Sequence, residues 1–167
     1  MLRKILGLVL VLTLVTCNDG DFEVPSFEFN DTIKSCGDYV LYRVNSSNTE
    51  ALILKLTSTQ LPDTITSSPK IISIDEDNLI YRIFSDEIGS NYFCQDIPPL
   101  SPEVKEEWIG VSGSKNKIEI STFFNINTSQ DTIGYVHEII FKNMILSKDD
   151  KTMTYTTYNF GTFNTDF

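Results

Sequence analysis

The sequence is short of histidine, tryptophan, cysteine and basic charge. Its 167 residues hold one histidine, one tryptophan and three cysteines, with thirteen basic residues against twenty-three acids. Each scarcity excludes something. One histidine, His137, and cysteines as far apart as Cys17, Cys36 and Cys94 do not make a zinc site. A serine–histidine–aspartate relay would have to run through His137, and no Gly-x-Ser-x-Gly elbow accompanies it. His137 lies between Val136 and Glu138 in a strand-like stretch and reads as a packed or surface histidine. A net charge of −10 argues against nucleic acid and against a direct electrostatic grip on anionic lipid, both of which call for basic patches. After residue 20 no stretch sustains a helical period beyond about two turns, and no internal repeat is evident.

The one long apolar run stands at the N-terminus. Met1-Leu2-Arg3-Lys4 is a basic start, and Ile5 to Val15 is apolar apart from Gly7 and Thr13. Thr16 and Cys17 follow, and then Asn18-Asp19-Gly20-Asp21. That is the layout of a secretory signal, too short to span a bilayer, which takes about 20 residues. Leu14-Val15-Thr16-Cys17 resembles the bacterial lipobox, with Thr16 where Gly, Ala or Ser is usual. The resemblance implies removal of residues 1–16, acylation of Cys17 and a lipid bilayer as partner, each buried methylene adding about 0.8 kcal/mol. Asn18 to Glu23 resembles the acidic export tag of surface lipoproteins in Bacteroidota, which implies the outer membrane and its outer face. Without Arg3 and Lys4 the mature part carries a net charge near −12. That charge suits cations, neutral glycans or protein partners, and it also simply keeps a surface protein soluble.

In an exported chain Cys36 and Cys94 are natural disulfide partners. A bridge closing so long a loop would add about 4 kcal/mol; the alternative is two buried thiols acting as small hydrophobes. Asp-Thr-Ile occurs three times, around Thr32, Thr64 and Thr132. The triplet is similar to the acceptor motif for O-glycosylation in Bacteroidota, with the sugar on Thr. It reads equally as a passage from loop to strand, Asp favouring the turn and Thr-Ile the strand.

The body reads as strands at the spacing of an all-β domain. Early candidates are Tyr39–Val44, Ala51–Thr57, Lys70–Ile74 and Leu79–Phe84. Ile97 to Pro102 cannot be a central strand because proline removes ladder donors, and Ser101-Pro102-Glu103 predicts a short helical turn over Pro102–Glu107. Glu107–Ser112, Lys117–Ile126, Ile133–Leu146 and Thr152–Phe160 predict a meander. Ile118, Ile120, Thr122, Phe124 and Ile126 alternate with polar residues, as on a half-buried strand. The alternation slips between Ile139 and Met144, which predicts a bulge there. The expected fold is all-β, an antiparallel two-sheet β-sandwich, immunoglobulin-like or jelly-roll-like. The expected division is a signal peptide over 1–16, an acidic tether and first strand over 17–30, and a single domain over 31–167.

The lipobox, Cys36-Gly37, Cys94-Gln95-Asp96-Ile97-Pro98-Pro99, Glu107-Trp108, Phe141-Lys142-Asn143 and Phe160-Gly161 together resemble small flavobacterial lipoproteins. The likeness covers most of the mature chain and implies a class, with no activity attached. Chemistry is sparse. Glu106, Glu107, Glu119 and Glu138 are the carboxylates on strands that could serve glycoside hydrolysis. Asp75-Glu76-Asp77-Asn78 and Lys148-Asp149-Asp150-Lys151 are acidic turns, able to offer oxygens to calcium and equally able to be solvated hairpin tips. Eleven phenylalanines and seven tyrosines are many for this length. Most must fill the core. Trp108, Tyr158 and Phe163 are the candidates for an exposed ligand platform. The expectation is a non-catalytic binding domain for a glycan or protein, with no cofactor and no metal. The alternative is a periplasm-facing structural or assembly component of the envelope; a glycoside-active enzyme comes third.

Overall fold

A computed structural model of the chain describes residues 27–29, 32–95, 97 and 99–167. The expected signal segment, Cys17 and the acidic run after it lie outside the described residues. Among the described residues nine strands form: β1 (Lys34–Cys36), β2 (Val40–Val44), β3 (Glu50–Lys55), β4 (Lys70–Ser73), β5 (Leu79–Phe84), β6 (Val104–Gly110), β7 (Lys117–Ile126), β8 (Thr132–Lys148) and β9 (Lys151–Asp166). The single helical element among the described residues is a 3₁₀ turn at Tyr92–Cys94.

The fold is all-β and antiparallel, as the strand pattern predicts. The division into two sheets is not confirmed: the nine strands of the described residues belong to one hydrogen-bonded sheet. Its path runs β1-β2-β3-β5-β6-β8-β7-β4, with β9 also paired to β8, and it does not close into a barrel. The reason lies in the length of β8. Its early part pairs with β7 from Thr132 to Lys142, and its late part pairs with β6 at Leu146 and Ser147. β9 runs along it from Lys148↔Lys151 to Gly134↔Asp166. One strand therefore joins what would otherwise be two sheets.

Joining them requires a change of face. Ile139 and Phe141 are buried, then Met144 and Leu146, so the inward parity switches between 141 and 144. Asn143, with φ +47°, makes the switch. On β9 the matching irregularity is Phe160, an extra residue between Ile139↔Gly161 and Ile140↔Asn159, followed by Gly161 at φ +122°. The bulge predicted from the sequence is present, and both strands of the hairpin share the distortion.

Two cores result. The larger lies on the inner face and takes Leu41, Leu52, Leu54, Leu79, Tyr81, Trp108 and Phe141 among others. The smaller covers the outer face of β2, β3 and β5 and comprises Tyr42, Val44, Ala51, Ile53, Ile80, Phe84, Ile88 and Tyr92. The segment after β5 folds back over that outer face and is fastened by a disulfide between Cys36 and Cys94, whose Cα atoms are 5.2 Å apart. β3 is thus apolar on both faces, and its Ala51-Leu52-Ile53-Leu54 is buried throughout.

Two further expectations are corrected. Pro102–Glu107 forms no helical turn. The Glu103 amide donates to the Ser85 hydroxyl and its carbonyl accepts from the Ser85 amide, which draws the segment into pairing beside β5. Nor does the domain begin at residue 31. Phe27 and Phe29 are core residues, with Phe27 stacked on Tyr155 at 4.6 Å. Arg43 secures this region, donating to the Phe29 carbonyl and to the β9 carbonyls of Phe160 at 3.1 Å and Asn159 at 3.4 Å.

Candidate functional site

The inner face of β7, β8 and β9 continues past the end of the core. Ile118, Ile120 and Thr122 are buried, but Phe124 and Ile126, next on the same face, are 49% and 54% exposed. Register sets Phe124 opposite Tyr135 and Tyr135 opposite Thr165, so their side chains share one face. Phe124 stacks on Tyr135 at 6.1 Å, and Tyr135 meets the edge of Phe167 at 5.1 Å. Gly134 keeps this end of the hairpin close: a Cβ there would lie 1.9 Å from the Thr165 carbonyl oxygen.

Where that face emerges, the loop after β3 and the turn before β2 stand over it. Together they enclose a cleft of about 550 Å³. Tyr39, Tyr135 and Phe167 supply rings; Asp38, Asp63 and Asp166 supply carboxylates. His137 forms part of the wall and is 1% exposed. Its Nδ1 lies 3.0 Å from the Thr122 hydroxyl and its Nε2 lies 3.0 Å from the Thr165 hydroxyl. A neutral imidazole meets both contacts, donating at one nitrogen and accepting at the other. Burial pushes its pKa below the usual histidine value. Both ring nitrogens are taken by threonine hydroxyls, so no aspartate orients the ring as a relay requires.

The residues singled out from the sequence fare unevenly. Trp108 is corrected: it is 0% exposed, and its indole donates to Glu106 at 3.2 Å. It cannot be a platform, because β6 is central and Trp108 faces the larger core. Tyr158 is half-buried against Phe27 and Phe141, at the margin of that core. Phe163 is half-buried and stacks on His137 at 6.2 Å, which puts it behind the cleft wall. Thr32, Thr64 and Thr132 are all exposed. Thr132 opens β8 and Thr32 comes just before β1, whereas Thr64 sits in the long loop between β3 and β4.

The strand carboxylates are dispersed. Glu106 accepts from Lys148 at 3.1 Å; burial would raise its pKa, but the Lys148 and Trp108 hydrogen bonds hold it below the usual carboxylate range. Glu107 pairs with Arg82 at 2.6 Å. Neither these two nor Glu119 and Glu138 line the cleft. In the first acidic turn, Asp75 accepts from the amides of Asp77 and Asn78, and Asn78 donates to the Ser73 carbonyl. Those oxygens shape a turn. Among the described residues no group of three or more metal-ligating side chains comes together.

Sequence reasoning missed Tyr39, Tyr135, Phe167 and the three aspartates as a set. A signal was available for part of it, since the alternation of β7 runs on through Phe124 and Ile126 beyond what a small core can cover. Comparison with protein-family models, with curated proteins and with solved structures finds no match to the chain.

Proposed function

We propose that the chain is a cell-surface lipoprotein, held in the outer membrane by acylation of Cys17, whose β domain binds a glycan in the His137 cleft. The observation that carries the ligand class is the convergence of Tyr39, Tyr135 and Phe167 with Asp38, Asp63 and Asp166. A sugar offers apolar C–H faces that stack on aromatic rings and hydroxyls that donate to carboxylates. Ligand sites pair apolar lining with a few placed polar groups in this way. The anchor is supported by Leu14-Val15-Thr16-Cys17 and the acidic run behind it. The exposure of Thr32, Thr64 and Thr132 is consistent with sugar on the protein itself.

The test is a glycan array probed with residues 17–167, alongside Tyr135→Ala and Phe123→Ala. Phe123 is exposed on the opposite face, one position from Phe124. Binding lost in Tyr135→Ala and kept in Phe123→Ala supports the cleft; binding indifferent to Tyr135 places the site elsewhere. Protease shaving of intact cells, with Cys17→Ala as control, tests the address. A second reading, a periplasm-facing assembly component, draws on β9. Its sixteen residues pair only with β8 among the described residues, which leaves a long edge able to accept another strand. Protection from protease until the outer membrane is broken would favour that reading.

A further inference from the structure

The smaller core is not filled to its margin. Between the outer face of β2, β3 and β5 and the Tyr92–Gln95 segment, a slot of about 190 Å³ remains, walled by Val40, Ile53, Ile80, Tyr92 and Phe93. Packed interiors leave few voids larger than a water molecule. An apolar cavity of about 150 Å³ lined by aliphatic and aromatic side chains stays dry and takes benzene, so this slot has room for one six-membered ring with a short substituent. It lies on the opposite face of the sheet from the larger core.

The rim selects the substituent. Among the described residues, Lys55, Arg82 and Gln95 are the polar side chains around the slot. Lys55 is exposed, and Arg82 is held by Glu107 through its Nε. In a chain with net charge −10, the formal charges that line the slot among the described residues are both positive. We propose that the slot binds a small carboxylate carrying one aromatic ring or a compact branched chain. The apolar part rests against Ile53, Ile80 and Tyr92, and the carboxylate faces Lys55 at the rim. The site is separate from the glycan cleft and does not depend on it. The Cys36–Cys94 disulfide fixes the wall that carries Tyr92 and Phe93, so the slot belongs to the oxidised protein.

The experiment is ligand titration of the disulfide-bonded residues 17–167, followed by calorimetry and saturation-transfer NMR, with phenylacetate as probe. 2-Phenylethylamine, which keeps the ring and reverses the charge, is the comparison. Two variants accompany them: Lys55→Glu, at an exposed position, and Val40→Phe, at the half-exposed mouth of the slot. We expect saturable one-site binding of phenylacetate, about tenfold weaker with Lys55→Glu and abolished by Val40→Phe. 2-Phenylethylamine should bind at least about tenfold more weakly than phenylacetate to the unaltered protein. Absence of saturable phenylacetate binding, or equal affinity for the amine, overturns the proposal. So does phenylacetate binding unchanged in Lys55→Glu, a result that stands even if Val40→Phe does not fold.

Discussion

The two ends of this sheet are built on opposite plans. Around β3 the sheet is covered on both faces, by the larger core beneath and by the disulfide-fastened segment above. At the far end of β7, β8 and β9 the cover is partial: the segments around Asp38 and Asp63 overhang the inner face across an open cleft, and Phe123, Phe124, Ile126 and Phe167 stand exposed. The sequences differ accordingly. Ala51-Leu52-Ile53-Leu54 is an unbroken apolar run, whereas Lys117 to Ile126 alternates for most of its length. Most of the buried core lies in the first region, and the wider open cleft in the second.

Breaking the covered half should have the largest effect. Trp108→Ala empties a fully buried site and should destabilise by about 3–5 kcal/mol in urea-monitored unfolding. Next comes the disulfide. Replacing Cys36 and Cys94 together by serine should lower stability by about 2–4 kcal/mol, read in the same way with the wild type kept oxidised. Arg43→Ala removes three bonds to backbone carbonyls and leaves their oxygens to find water, at an expected cost of about 1–3 kcal/mol. At the more open end, Phe124→Ser should change stability by no more than about 0.5 kcal/mol while weakening, through its stacking partner Tyr135, any ligand held in the cleft. A loss as large as that for Trp108 would erase the distinction between the two ends.

His137 sharpens the contrast along a pH axis. Its folded pKa is lowered by burial, so the unfolded chain takes up a proton at a higher pH than the folded one. Stability is therefore unaffected well above the unfolded value of about 6.5. It declines as pH falls below that value and levels off beneath the depressed folded pKa. Denaturation midpoints of wild type and His137→Gln, measured between pH 8 and pH 5, should draw together as the pH falls.

How far the sequence revealed this structure depends on the range of the interaction concerned. β5 was readable to the residue, because Leu79-Ile80-Tyr81-Arg82-Ile83-Phe84 is a compact apolar stretch behind a turn. The kink near Asn143 was visible as a lapse in alternation, though its counterpart at Phe160 was not. The junction of two expected sheets into one was hidden. It depends on β8 changing partner from β7 to β6, a pairing set by tertiary contact and not by local propensity. Trp108 was misjudged because Glu106 and Glu107 beside it look like a solvent-facing run, whereas Glu106 bonds to the indole and Lys148. The cleft brings together residues as distant as Asp38 and Phe167, and no local pattern marks such a meeting.

The covalent link between Cys36 and Cys94 also decides how the molecule would bear tension. A pull applied between the two ends of the chain travels through the backbone as far as Cys36, crosses the sulfur bridge and resumes at Cys94. Everything from Gly37 to Phe93 is shunted out of the line of force, including β2, β3, β4 and β5. Traction from the N-terminal side would extract Phe27, Phe29 and β1 and then shear the strands from β6 onward, so the extension per molecule is capped by the length outside the bridge.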